Sequence, residues 1–342
     1  MKESILKALR ETDGYISGQE LSQKLGVSRT AVWKTIHQLT DEGYQIEAVN
    51  RKGYRLIDEP DVLTKTEIES RLKPGCVGSR VIYYDRLAST NDEARLLAEQ
   101  GAPHGTLVVA EEQTGGKGRK RRPWSSPPGI GIWMSFILRP QIEPDHASRM
   151  TLLAAMAVYD AVRELNIPCQ IKWPNDIVID GKKVCGILTE MSATQDSINY
   201  VVVGIGLNVH NQEFPEGIRD VAISLDMAKN LKEAKEAEEK ASTQRKIGST
   251  IHRSALIARI LERFEYYYQQ FLKKEDLAFI QDAYNARLVN RGQTVYVIDK
   301  EQTRSGQCRG IDETGCLVVL MDGKEEHILS GEVSVRGVLG YV

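Results

Sequence analysis

The chain runs to 342 residues, 41% hydrophobic and 27% charged, with a formal net charge of −2. The composition is that of a soluble globular protein, and the length exceeds one ordinary core, so two or three domains are expected. The near-neutral charge leaves partners open, because it averages over local patches such as the basic run at 117–122. The five cysteines form no CxxC pair, and no histidine stands at metal-ligand spacing. Reduced thiols are therefore expected, rather than a disulfide framework or a zinc site. No apolar run approaches the roughly 20 residues that span a bilayer. The opening MKESILKALRE reads as an amphipathic helix, not as a signal peptide's apolar segment. A cytoplasmic location with no membrane partner is expected.

Residues 1–60 read as a separate module. Ile5, Leu6 and Leu9 form a helical stripe, and Leu21 and Leu25 stand at i, i+4 in a second helix at 19–25. Gly26 turns the chain, and Ser28 can N-cap a third helix at 29–40. That helix turns Val32, Ile36 and Leu39 inward and presents Arg29, Thr30, Trp33, Lys34 and His37. A hairpin follows, with strands at 44–49 and 54–57 around a turn at 50–53 and with Arg51, Lys52 and Arg55 at its tip. Helix, glycine turn, helix and basic hairpin is the winged helix-turn-helix order. Its recognition helix enters the major groove, and its wing meets phosphate. Ser28, Arg29, Thr30, Trp33, Lys34, His37, Arg51 and Lys52 are the expected DNA contacts. A protein-docking module uses the same fold, and Trp33 suits the core as well as a contact. One copy offers few base contacts, so a dimer on a two-fold operator is expected.

Residues 58–63 (DEPDVL) read as a linker, 64–72 as a short helix capped by Thr64 with Glu67 three residues on, and 81–84 as a strand. Ser89, Thr90 and Asn91 open a helix at 91–100, where they can cap it or orient a polar ligand group. The β-branched run at 106–110 delivers the chain to 111–124, EEQTGGKGRKRRPW. Gly115, Gly116 and Gly118 permit backbone conformations and close approaches that a Cβ forbids. Lys117, Arg119, Lys120, Arg121 and Arg122 suit phosphate or carboxylate, arginine with a bidentate grip. A solvated basic loop or a nucleic-acid contact accounts for the charge run equally well.

Beyond the loop, 131–138 is a buried strand and 148–165 a long apolar helix. Residues 171–179 (IKWPNDIVI) and 182–190 (KKVCGILTE) read as two strands of a hairpin joined at Asp180-Gly181. Lys172, Asn175 and Asp176 gather at one end, Lys183 opens the return strand, and Gly186 marks a close approach. The buried strand 201–209 carries Gly204, Gly206 and Asn208, and Asn208 can point into a site. Residues 228–250, rich in lysine, glutamate and alanine, lack an apolar stripe and read as an exposed helix or a disordered insertion. A helix at 254–273 turns Leu256, Ile260, Phe264 and Tyr267 to the core. Short strands at 294–299, 307–312, 316–321, 326–330 and 333–336 predict a small β-barrel.

Five stretches, taken in order, carry a resemblance. They are Ser89-Thr90-Asn91; Gln113 with Gly116-Lys117-Gly118-Arg119; Lys172-Trp173-Pro174-Asn175-Asp176; Gly181-Lys182-Lys183 with Gly186-Ile187-Leu188; and Gly204-Ile205-Gly206-Leu207-Asn208. Over essentially its whole length the chain resembles the bifunctional biotin–protein ligases that also repress the biotin operon. The resemblance implies an α+β protein with a winged helix-turn-helix domain at 1–60. A catalytic biotin/lipoate ligase-like domain would follow at 64–288, a mixed sheet with helices like class II aminoacyl-tRNA synthetases, and an SH3-like barrel at 289–342. It also implies ATP and biotin with Mg2+, a biotin carboxyl carrier protein as acceptor, operator DNA bound as a homodimer, and biotinyl-5′-AMP as corepressor. Arg119 and Lys183 would be the catalytic cations. They would share the biotin site with Ser89, Thr90, Asn91, Gln113, Gly116, Lys117, Gly118 and Gly186. Arg119 would also face the nucleotide, with Lys120, Arg122, Trp124, Asn175, Asp176 and Asn208, and Asp176 would organise Mg2+. Lys117 departs from the family's Gly-Arg-Gly-Arg loop, keeping the charge without the planar fork, and Gly115 stands where alanine is commoner. Lipoate–protein ligases share the fold and reaction type. A ligand sensor that has lost catalysis and a tRNA synthetase relative are the readings from other classes.

Overall fold

The computed structural model describes all residues except Pro74, Cys76, 241–249, 299–301, 331–333 and 338–342. It divides into two compact units, Met1–Lys73 with Thr250–Ala258, and Pro74–Ser249 with Arg259–Val342.

In the first unit, α1 (Lys2–Glu11), α2 (Gly18–Leu25) and α3 (Arg29–Asp41) precede an antiparallel hairpin of β1 (Gln45–Val49) and β2 (Gly53–Asp58), and α4 (Lys65–Arg71) follows. Ser17 and Ser28 start α2 and α3 by accepting hydrogen bonds from Glu20 N and Ala31 N, donors that a helix end otherwise leaves unpaired. Ile5, Leu9, Leu21, Val32, Ile36 and Leu39 close the core. Ser28, Arg29, Thr30, Lys34, His37, Arg51 and Lys52 are all exposed. Trp33, 53% exposed, belongs to that surface and not to the core, and its ring meets His37 edge-on at 4.1 Å.

The sequence reading starts the catalytic domain at residue 64. In the structure α4 packs against α1 inside the first unit. The cause is Glu67. Thr64 Oγ1 does accept from Glu67 N at 3.1 Å, but the Glu67 side chain turns away from the cap and is fully buried. It receives Arg10 at 2.7 Å, Arg71 at 2.7 Å, Tyr44 Oη at 2.5 Å and Ser254 Oγ at 3.1 Å. Glu59 pairs with the same two arginines at 2.6 and 2.5 Å.

The second unit is built on seven strands: β3 (Arg80–Leu87), β4 (Thr106–Gln113), β5 (Gly131–Leu138), β6 (Gln170–Lys172), β7 (Asp176–Ile179), β8 (Lys182–Ala193) and β9 (Ile198–Asn208). They pair in the order β3-β4-β5-β9-β8-β7-β6. β3 and β4 run parallel with α5 (Thr90–Glu99) as their crossover, and the remaining neighbours pair antiparallel. Alternation along the strands assigns the two faces. Ile137 and Val202 turn toward α5, where Ala94 and Ala98 pack. Phe136 and Thr189 turn to the opposite face. There Thr151 of α6 (Arg149–Glu164) donates to Thr189 at 2.8 Å. The Phe264 ring of α8 (Arg253–Phe271) stands 4.7 Å from that of Phe136. Covered on both faces, β5 is buried at all of its positions.

Residues 171–179, expected as one strand, form β6 and β7, which pair antiparallel across Trp173, Pro174 and Asn175. Pro174 has no N–H to give a ladder. The start of 228–250 continues α7 (Leu225–Lys240), which is the helical alternative; residues 241–249 lie outside the described set. α9 (Ala278–Arg287) buries Ile280 and Tyr284 and has no counterpart in the sequence reading.

At the C-terminal end, β10 (Thr294–Ile298), β11 (Thr303–Ile311), β12 (Leu317–Met321), β13 (Lys324–Ile328) and β14 (Ser334–Gly337) pair antiparallel in the order β13-β12-β11-β10-β14. Val295, Val297, Cys308, Ile311, Leu317 and Val319 form its core. The expected strand ends at Asp299 and Val333 lie outside the described residues, and where a barrel is expected the described residues form a five-stranded antiparallel sheet.

Burial alone would raise the pKa of Glu67, but the hydrogen bonds and charges of Arg10, Tyr44 and Arg71 outweigh it and hold the carboxyl below its ordinary value. Its contribution to stability is therefore complete above the unfolded carboxylate pKa and is lost as pH falls through the lower folded value. Glu67→Ala is expected to cost about 3 kcal/mol in urea unfolding at neutral pH. The gap from wild type should narrow as pH drops below about 4.

Candidate active site

On the α5 face of the sheet, glycines remove side chains that would fill it. Gly186 of β8 and Gly206 of β9 are register partners. A Cβ on Gly206 would stand 2.7 Å from Trp124 Nε1, and one on Gly186 would stand 3.1 Å from Trp124 Cζ3. One step along, Asn91 Oδ1 lies 1.8 Å from where a Gly204 Cβ would be. The indole and the amide therefore rest directly on sheet backbone. Beside them opens a cavity of about 570 Å³, lined by residues of α5, the basic loop, β7, β8 and β9.

One end of the cavity is a network of hydroxyls and amides. Ser89 Oγ accepts from Asp92 N at 3.5 Å at the start of α5. Gln113 Oε1 accepts from Thr90 N at 2.8 Å and Thr90 Oγ1 at 3.1 Å, while its Nε2 donates to Ser126 Oγ at 2.8 Å. Ser135 Oγ, rising from the sheet, lies 2.8 Å from Thr90 Oγ1 and 2.7 Å from Asn91 Oδ1. Asn91 Nδ2 donates to Leu188 O at 3.2 Å and to Glu190 Oε2 at 2.8 Å.

The other end is cationic. Lys183 Nζ pairs with Asp176 Oδ1 at 2.6 Å and stands 5.1 Å from the centre of the Trp124 ring, within cation–π range. Arg119 donates to Asn175 Oδ1 at 3.2 Å and to Ser330 O. Asn175 is held in turn by Ile187, donating to its carbonyl at 3.0 Å and accepting from its N–H at 2.8 Å. Burial pulls the Arg119 pKa below its usual value against the opposing charge of Asp176; a guanidinium stays charged regardless. Lys120 and Arg122 also line the cavity, and among the described residues Asp176 is the one acidic lining residue. Asn208 lies alongside, donating to Ile223 O at 3.2 Å.

The loop glycines act differently from expectation. None of Gly115, Gly116 and Gly118 is left-handed; Lys120 and Arg121 are, both at φ 56°. Gly116 makes room for the loop itself, since a Cβ there would lie 2.6 Å from Trp124 O and 2.8 Å from Ser126 Oγ, and it does not line the cavity. Lys117 lines the cavity while gripping α5, with Nζ 2.6 Å from Asp92 Oδ1.

Sequence reading missed Ser126, Ser135, Glu190 and Val221–Ile223, the last of which pairs with β8 through Lys183 N to Val221 O at 2.7 Å and Ile223 N to Lys183 O at 3.0 Å. Ser135 had one available signal, a lone hydroxyl in the apolar strand GIWMSFIL. Gly206→Ala is expected to push the indole off the sheet. Acrylamide quenching of the Trp124 fluorescence, isolated by difference from Trp124→Phe, should rise.

Residues 83–208 match the biotin/lipoate A/B protein ligase family, residues 2–55 an HTH domain and residues 292–336 a biotin protein ligase C-terminal domain. The chain is similar to the bifunctional ligase/repressor BirA of Bacillus subtilis (strain 168), 41% identical over 324 residues and covering 94% of each. With the bifunctional ligase/repressor BirA of Escherichia coli (strain K12) it is 28% identical, over 97% of this chain and 96% of that one. The solved biotin protein ligase from Aquifex aeolicus in complex with biotin and ATP aligns at a TM-score of 0.61 and 28% identity, over 76% of this chain and 99% of that one. The three matches follow one another along the chain, and the chain belongs to the family of bifunctional biotin–protein ligase/repressors.

Proposed function

We propose that this protein is an ATP-dependent biotin–protein ligase and a DNA-binding repressor of biotin genes. The observation that carries the catalytic half is the convergence of Arg119 and Lys183 on one cavity whose far end is the Thr90–Gln113 network. Biotin's carboxylate oxygen attacks the α-phosphorus of ATP, the bond to pyrophosphate breaks, and biotinyl-5′-AMP forms. A lysine amine of a biotin carboxyl carrier protein then attacks the anhydride carbonyl, AMP leaves, and the amine's proton passes to water.

Both partners of the first step are anions, so their meeting depends on cations that do not themselves react. Arg119 would hold the intermediate's phosphate, and Lys120, Arg122, Asn175 and Asn208 the nucleotide around it. Trp124 would pack against the adenylate. Lys183 would meet the biotin carboxylate and the developing charge, exchanging its pairing with Asp176 for the substrate. Ser89, Thr90 and Gln113 would engage the ring. Mg2+ binds through one or two carboxylates together with substrate phosphates. Asp176, the single acidic lining residue among those described, fits an ion that would arrive with ATP and neutralise its phosphates.

The exposed face of α3 and the basic hairpin support operator binding by the first unit. We assign the chemistry to the second unit and repression to a homodimer whose corepressor is biotinyl-5′-AMP. Among the described residues no helix is long and apolar enough to cross a membrane. A protein that uses ATP and meets operator DNA works in the cytoplasm.

With ATP, Mg2+, biotin and a biotin carboxyl carrier domain, mass spectrometry should record a biotin-sized gain on the acceptor, and lipoate in parallel should give none. Arg119→Ala and Lys183→Ala should each slow the gain by at least about a hundredfold. In gel shifts, biotin plus ATP should tighten operator binding; equal affinity without them would refute the corepressor. Arg51→Ala and Lys52→Ala should weaken all DNA sequences alike and each lower the salt slope by about one.

A further inference from the structure

We infer that Glu190 is a positioning residue for the acid substrate: acting through Asn91 and Ser135, it fixes the direction of the hydrogen bonds that reach Thr90. Thr90 Oγ1 is thereby left as an acceptor for an N–H on the substrate's ring. The inference rests on the reading of the cavity as the biotin site and adds a determinant of which ring it accepts.

Asn91 Nδ2 has two hydrogens, and its two partners are Glu190 Oε2 at 2.8 Å and Leu188 O at 3.2 Å. A carboxylate and a carbonyl only accept, so the nitrogen must face them and Oδ1 must face Ser135. Ser135 Oγ is within hydrogen-bond reach of both Asn91 Oδ1 and Thr90 Oγ1. A hydroxyl carries one hydrogen, and Asn91 Oδ1 can supply none, so Ser135 donates to Asn91. Ser135 then has nothing to give Thr90, whose own hydrogen goes to Ser135 Oγ or to Gln113 Oε1. In either case the lone pairs of Thr90 Oγ1 are not consumed by Ser135.

The connecting groups are screened from water, with Thr90 3%, Asn91 4% and Ser135 0% exposed, so the order is set by protein partners. Glu190 is not among the residues lining the cavity. On its outer side Arg95 Nη1 stands 3.8 Å from Oε1. Of the two acceptors facing Asn91 the carboxylate is the charged one, and charge-assisted hydrogen bonds are the stronger. With it gone, the amide can turn, Ser135 can donate to Thr90, and an acceptor that faces the cavity is occupied. The substrate class that profits from the native order is an acid whose ring carries N–H donors, such as a cyclic urea. A dithiolane ring has none to offer.

The test is steady-state carrier labelling with biotin and ATP varied in turn. Glu190→Ala should raise KM for biotin about tenfold, with KM for ATP and kcat within about twofold of wild type. Glu190→Gln keeps an oxygen that can accept from Asn91 and should return KM for biotin to within about threefold of wild type. Combining Glu190→Ala with Asn91→Ala should add nothing to Asn91→Ala alone, because one acts through the other. An unchanged KM for biotin in Glu190→Ala would overturn the proposal. So would a parallel rise for ATP with a lowered melting temperature, or additive effects in the double variant. A wild type that labels no carrier would bring down the ligase reading and this inference together, whereas an active wild type with an indifferent Glu190→Ala brings down this inference alone.

Discussion

The second unit depends on a strip of sheet without side chains. At Gly186, Gly204 and Gly206 the face that elsewhere carries Ile137 and Val202 against α5 is bare backbone. Glycine inside a strand costs roughly 0.5–1 kcal/mol relative to alanine, and here that cost makes room for function. An indole settles on one part of the strip and an amide on another. Gly186 also leaves space for Lys183, whose Cε and Nζ would lie 2.9 Å from a Cβ there. Fill the strip with ordinary β-branched residues and the sheet would pack shut.

Around that strip the two principal cations are held in different ways. Lys183 rests on a carboxylate, Asp176, while the hydrogen bonds of Arg119 to Asn175 and Ser330 go to neutral oxygens. Arg119 also stands in the field of Asp176, so one carboxylate balances both cations. An anion arriving at Lys183 must displace an existing ion pair and leaves that carboxylate to be accommodated. The same attention to buried charge governs the first unit, where Glu67 is surrounded by donors on several elements. A partly satisfied carboxylate would be worse there than none.

What could be read from the sequence was what is written locally. Ser28 before an apolar stripe announces a helix start, Asp180-Gly181 a hairpin, and the ordered run of glycines and cations the family. The exposure of Arg29, Thr30, Trp33, Lys34 and His37 follows from the helical period, and that of Arg51 and Lys52 from the hairpin turn. The missed residues have their causes far along the chain. Ser135 meets an amide 44 residues away, Asn91 a carboxylate 99 away and Arg10 its partner 57 away, and no window on the sequence spans such pairs. Gly116 shows a subtler gap: glycine signals that something comes close but not what. There it is the loop's own carbonyl rather than a ligand. The break is written in the sequence at Pro174-Asn175-Asp176, between the apolar ends Ile171 and Ile177–Ile179.

The left-handed pair at Lys120 and Arg121 sets evolution and engineering against each other in this loop. An L-residue in that conformation sacrifices roughly 1–2 kcal/mol, so selection for thermal tolerance alone would draw both positions toward glycine or asparagine. Each such step would relieve backbone strain at the expense of a cation. At Lys120, which lines the cavity, relief of strain and the charge proposed to face the nucleotide are therefore opposed.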